Sequence, residues 1–139
     1  MRICIDTNTL LRLFGTRNAL AEVKDALLAG RLELVVSNEI LLEYEEVVTR
    51  LAGPDRWRNI ARLLERLQAV HGTVIHSDPS FHFRVIATDP DDNKFTDCAI
   101  ASEAEFVITD DRHFAPLADA GYKPRPIRAE DFIERHLKK

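Results

Sequence analysis

Short apolar runs alternate along this chain with longer stretches in which apolar residues recur every three or four positions. Arg2 to Ile5, Leu32 to Val36, Thr73 to Ile75, Phe106 to Thr109 and the region of Pro126-Ile127 read as strands, the first buried on both faces. Between them the helical period takes over. A short helix is expected around Thr9 to Phe14, and a second is capped by Asn18, runs to Leu28 and is closed by Gly30. Ser37 caps a third helix, with Ile40, Leu41, Tyr44, Val47, Val48 and Leu51 on its apolar side. Gly53-Pro54-Asp55 breaks it, and Asp55 opens a fourth through Ile60, Leu63, Leu64, Leu67 and Val70. A polar loop from Ser77 to Asp91 follows, with Pro79 and Pro90 in it. Asp92 then begins a helix carrying Phe95, Ala99, Ile100 and Ala104 on one side. A turn around Arg112 to Leu117 and a last helix from Glu130 to Leu137 complete the pattern. Strands that alternate with helices in this way predict an α/β fold around a mainly parallel sheet. With no repeat, low-complexity segment or linker, one domain over residues 1–139 is expected.

Composition narrows the reading. A hydrophobic fraction of 45% over 139 residues is enough for one core. No apolar run has the length of a membrane span, and none has the layout of a signal peptide. Cys4 and Cys98 fall within apolar strand and helix patterns, so they are expected to be reduced core residues of a cytoplasmic protein. A net charge of -4 argues against a generic basic nucleic-acid coat. It leaves a nuclease open, because a site built from carboxylates lowers the charge and bound cations reverse its local sign.

The candidate chemistry lies in four acids. Asp6 ends the first strand, and Asp111 stands two residues after Thr109. Glu43 lies about one and a half turns into the helix that follows the second strand, and Asp92 opens the helix before the strand Phe106 to Thr109. An open parallel sheet binds its ligands at the carboxyl ends of the strands, where strand order reverses. Two like charges about 4 Å apart repel by roughly 4 kcal/mol at an effective dielectric near 20, so converging carboxylates must take up protons or bind cations. Oxygen donors without His or Cys favour Mg²⁺ or Mn²⁺, ions suited to phosphoryl transfer. Each acid alone has a plainer reading. Asp6 could close an Asx turn, Glu43 could be solvated like Glu39, Glu45 and Glu46, and Asp92 and Asp111 could be caps.

The ordered set decides between these. Ile5-Asp6-Thr7-Asn8, Ser37-Asn38-Glu39-Ile40-Leu41-Leu42-Glu43, Asp89-Pro90-Asp91-Asp92-Asn93-Lys94-Phe95 and Val107-Ile108-Thr109-Asp110-Asp111 resemble the motifs of PIN-domain proteins. The likeness is greatest to the bacterial and archaeal group classed as toxins of toxin–antitoxin systems, and it covers nearly the whole chain in the family's order. It implies a Rossmann-like α/β/α fold, Mg²⁺- or Mn²⁺-dependent ribonuclease activity on RNA, a small antitoxin partner and a homodimer. Carried over, the family's acids match Asp6, Glu43 and Asp111. The remaining one falls on Asp92, favoured over Asp97 because it stands at the start of the helix, at the positive end of its dipole. Asp97 is retained as an outer ligand. Asn8, Ser37 and Thr109 are expected to orient the carboxylates.

Two other function classes compete. A PIN-like module that binds RNA or protein without cutting has no reason to keep four mutually repelling acids. A phosphatase or receiver domain using Asp6 as nucleophile lacks a second Asp two residues later, and Lys94 and Lys123 do not follow a late strand. Arg58, Arg62 and Arg66 make a basic stripe that is expected to be a solvated helix face before an RNA track. Arg112 and His113 are better placed to meet phosphates. His71, His76 and His82 have no metal-binding spacing, and Trp57 is expected to be a packing anchor.

Overall fold

A strand that is apolar on both faces belongs in the middle of a covered sheet, and the first strand takes that place. In the computed structural model of the chain, which describes residues 1–17 and 19–138, Ile3, Cys4 and Ile5 of β1 (Arg2–Ile5) are wholly buried. On one side β1 pairs with β2 (Glu33–Val36), which pairs with β3 (Val74–His76). On the other side it pairs with β4 (Phe106–Ile108), which pairs with β5 (Arg125–Ile127). All pairs are parallel, in the order β3-β2-β1-β4-β5, which is the Rossmann-like α/β arrangement expected from the sequence. Register sets Ile3 opposite Leu34 and Phe106, and Ile5 opposite Ile108. The chain thus builds outward from β1 to β3, then crosses back to β4. That reversal opens a crevice at the carboxyl ends of β1 and β4.

The helices are α1 (Thr7–Leu13), α2 (Ala21–Leu28), α3 (Asn38–Ala52), α4 (Pro54–His71), α5 (Asn93–Ala101) and α6 (Ala129–Phe132). Tight 3₁₀ turns cover Pro90–Asp92 and Arg112–Asp119, and a π-helical turn, Ile133–Leu137, prolongs α6. Two helices begin directly at strand ends, because the residue between them caps the helix. Asp6 Oδ1 accepts the Thr9 amide at 2.9 Å, and Ser37 Oγ accepts the Ile40 amide at 3.1 Å. α1 therefore starts two residues earlier than the apolar pattern suggests. Asn18, the expected cap of α2, lies outside the described residues, and Leu20 stands at the cap position without a side-chain bond.

Other departures have equally local causes. α4 starts at Pro54 after Gly53, whose φ of 95° ends α3, so the helix begins one residue before Asp55. Leu51 and Val70 continue the apolar period of their helices but are 60% and 70% exposed. Each lies in the last turn of its helix. β3 begins one residue later than expected, at Val74. His71 has a structural place: its Nε2 lies 3.0 Å from the Leu28 carbonyl, and its ring fills the space a side chain at Gly30 would need.

Tyr44 ties the layers together at the functional end. It is fully buried on α3, its hydroxyl donates to the Ile5 carbonyl, and its ring faces Phe95 of α5 at 6.3 Å. One side chain thereby joins α3, the end of β1 and α5. Replacing Tyr44 by Phe keeps the ring but leaves that buried carbonyl without its donor. The expected loss is about 1 to 2 kcal/mol, read as a lower urea midpoint with unchanged slope, and an unchanged midpoint would show the bond to be dispensable.

Candidate active site

The end of β1 delivers Asp6 into the crevice, where it is 5% exposed. Its Oδ1 takes the Thr9 amide and its Oδ2 accepts the Thr109 hydroxyl. Burial pushes its carboxyl above the ordinary range, and the bonds from Thr109 and Thr9 offset part of that rise. Thr109 has a second partner, because its Oγ1 accepts the Asp111 amide at 3.0 Å. One hydroxyl at the end of β4 therefore fixes both Asp6 and the backbone that presents Asp111. The Asp111 carboxylate caps the next turn, with Oδ1 2.9 Å from the His113 amide and 3.2 Å from its ring Nδ1.

Asp92 behaves differently. It stands at the cap of α5 yet makes no capping bond, and its Oδ2 is buried without a hydrogen-bond partner. Burial first, then the charges of Asp89 and Asp111, push its carboxyl up to about 7, with Asp6 adding to the rise. The 3₁₀ turn explains the closeness of Asp89. With three residues per turn, positions i and i+3 eclipse, and the Asp92 amide bonds the Asp89 carbonyl at 3.1 Å. Among the described residues, Asp89, Asp92 and His113 offer ligand atoms that all lie within 4.8 Å of one another.

Glu43 is held by other groups. Its Oε2 accepts the Thr7 hydroxyl and its Oε1 accepts Lys94 Nζ at 2.7 Å. Both partners are residues of the same crevice, Thr7 opening α1 and Lys94 lying two residues after Asp92.

The structure thus brings Asp6 and Asp111 within electrostatic reach of Asp92, while the ligand atoms that lie closest together are those of Asp89, Asp92 and His113. Glu43 lies one hydroxyl away through Thr7, next in the chain to Asp6. Asp97 is engaged elsewhere: it is buried, its Oδ1 accepts the Phe83 amide at 3.0 Å, and its Oδ2 meets His82 Nδ1 at 3.2 Å. Both oxygens serve the loop between β3 and α5. Of the orienting residues, Thr109 contacts Asp6 directly, and Ser37 acts by capping the helix that carries Glu43. Asn8 is exposed.

Sequence alone gives Asp89, Thr7 and Lys94 no role in the site. A signal existed for Asp89, since an Asp followed by Pro and then by an acid three residues on marks a tight turn that stacks the two acids. No signal in the sequence could pair Lys94 with a glutamate 51 positions away. Around the rim, Arg12 pairs with Asp110 and, at 2.9 Å, with Glu130. Arg58 pairs with Asp55 at 2.8 Å, as suits a solvated face. Arg62 and Arg66 line a groove with Lys24 and Arg56 that includes none of the acids.

One carboxylate oxygen that is buried and unpartnered, Asp92 Oδ2, thus lies beside Asp89 and His113 where strand order reverses, a grouping that could hold a cation. No curated protein matches the chain. A family model described as PIN domain matches residues 2–113, a span that holds every acid of the crevice together with Lys94 and His113. On that match, the chain belongs to the PIN-domain family.

Proposed function

We propose that this protein is a metal-dependent endoribonuclease, using Mg²⁺ or Mn²⁺ to hydrolyse phosphodiester bonds of RNA. PIN domains are in general metal-dependent nucleases, and the observation that carries the reading here is the Asp92 carboxylate. Its Oδ2 is buried, has no hydrogen-bond partner, and lies among acids that raise its proton affinity. A group in that position is stabilised only by a proton or a cation. An oxygen-rich donor set fits a hard divalent ion. Asp6, Asp92 and Asp111 would hold the ion, with Asp89 and His113 within reach and Glu43 as the fourth acid of the crevice. Bound there, such an ion supplies an acidified water and charge to offset the departing oxygen.

The chain's own residues set the geometry. Thr109 keeps Asp6 and Asp111 at one spacing, and Thr9 fixes the Asp6 rotamer. Arg112 and His113, both exposed beside Asp111, would meet substrate phosphates. A toxin role, a small antitoxin that covers the acidic crevice, and a homodimer follow from the family resemblance and complete the proposal. The cysteines support a cytoplasmic setting, since Cys4 and Cys98 are free and buried. Among the described residues no helix is long and apolar enough to cross a membrane.

Two measurements test this. The Asp92 carboxyl rises from 3.8 to about 7, so the folded metal-free chain keeps its proton to higher pH than the unfolded chain does. The penalty for ionising it is absent below 3.8, grows between the two values and is complete above about 7. Metal binding must displace this proton. Calorimetry is expected to show Mn²⁺ affinity falling by about tenfold per pH unit below 7, with proton release, and a flat profile would remove Asp92 from the ligand set.

The second test is cleavage of a structured RNA in Mg²⁺, Mn²⁺ or EDTA, beside an Asp6→Asn variant. Cleavage is expected to need metal and to vanish in the variant. The variant is expected to stay folded in EDTA, because the amide keeps the carboxylate's shape and one oxygen still accepts the Thr9 amide, although the Thr109 hydroxyl loses its acceptor. Full activity of Asp6→Asn overturns the proposal. No cleavage together with no Mn²⁺ binding returns the chain to a binding module.

A further inference from the structure

Lys94 is out of place by ordinary rules. It lies in the first turn of α5, where the helix dipole disfavours a cation, and its side chain is only 17% exposed. Long basic side chains normally keep their charge in water. Here the ammonium is drawn inward, to 2.7 Å from Glu43 Oε1, while Thr7 occupies the other oxygen of that carboxylate. Glu43, itself 21% exposed, therefore has both oxygens partnered. The contrast with Asp92, two residues before Lys94, is sharp: its Oδ2 has no hydrogen-bond partner. The crevice thus holds one acid, Glu43, whose oxygens the protein fills with a lysine and a hydroxyl, and another, Asp92, with a buried oxygen that it leaves unfilled.

Resting on the metal-dependent nuclease reading, we infer that Lys94 is a built-in second cation of this site. It occupies Glu43, confines the divalent ion to the side of Asp6, Asp92 and Asp111, and leaves one ion per chain where two could otherwise sit. An ammonium has three donors, and Glu43 takes one of them. The others are available for an oxygen of the scissile phosphate, the position a second metal would serve. Glu43 is then a positioning residue, acting through Lys94, and is not a metal ligand.

Counting ions tests this without reference to cleavage. Mn²⁺ titrations by calorimetry at pH 8 would compare the parent chain with Lys94→Met and Glu43→Gln, each first shown to be folded by thermal unfolding. One Mn²⁺ per chain is expected for the parent. Glu43→Gln should also bind one, with affinity lowered by less than about tenfold, smaller than the loss typical of a removed ligand or its support. Lys94→Met should gain a second, weaker ion at the vacated carboxylate. Two ions in the parent, loss of the ion in Glu43→Gln, or an unchanged single ion in Lys94→Met would each overturn the assignment. Should Lys94→Met fail to fold, the Glu43→Gln titration decides alone.

Turnover adds a second readout. Removing one charged donor is expected to lower the Lys94→Met kcat about a hundredfold at Mn²⁺ that just fills the first site. Activity should return as Mn²⁺ is raised to fill the second, and Lys94→Arg should keep part of it throughout. Parent-like turnover of Lys94→Met at low Mn²⁺ overturns the role. A chain that binds one Mn²⁺ but cuts no RNA refutes the nuclease and spares the ion count, whereas two bound ions refute Lys94 and spare the nuclease.

Discussion

The hydrogen bond from Thr109 to Asp6 joins the ends of β1 and β4 across the point where strand order reverses, and the crevice depends on it. A carboxylate as buried as Asp6 is costly to keep ionised. The Thr109 hydroxyl and the Thr9 amide lower that cost, and the same hydroxyl receives the Asp111 amide. Two acids are thereby held in one geometry by a side chain that carries no charge. Such a group fixes the Asp6 carboxylate and the backbone of Asp111 without supplying a counter-charge.

Repulsion is managed in two ways within a few residues. At Glu43 the protein supplies the counter-charge through Lys94, with Thr7 taking the second oxygen. At Asp92 it supplies none, and the carboxyl holds a proton to about pH 7. Buried charge that is paired favours a single arrangement, and buried charge that is unpaired favours a ligand. The turn Pro90–Asp92 creates the second condition by stacking Asp89 onto Asp92. The loop before it is anchored by Asp97, which accepts the Phe83 amide. An acid that the motif alone could assign to the metal is thus needed to hold the segment that delivers Asp89 and Asp92.

The framework beneath the crevice is stiff by construction. Tyr44 bonds the Ile5 carbonyl one residue before Asp6, and its ring faces Phe95, one residue after Lys94. Phe95 in turn lies 6.4 Å from Phe114, one residue after His113. Each crevice element therefore has an aromatic neighbour inside the core. Packing at interior density resists small displacements, and that resistance keeps like charges close when they would otherwise move apart.

The order of strands and helices was legible because apolar period and caps are local properties. Ile3 to Ile5 had to be a buried strand, Ser37 had to cap a helix, and Asp6, Glu43, Asp92 and Asp111 stood out by their order along the chain. Less local matters were not legible. The ends of α3 and α4 kept the apolar period at Leu51 and Val70, which nevertheless stay largely exposed. Asp97 and Asp92 had the same helix and the same chemistry, and only the position of the loop between β3 and α5 separated their partners. Lys94 met Glu43, 51 residues away, only because α3 and α5 pack at the same end of the sheet. Sequence determines which groups a segment carries and how its backbone folds nearby, because those depend on neighbours along the chain. Whether a carboxylate meets a lysine, an amide or nothing depends on distances through space, and the tertiary structure alone decides those.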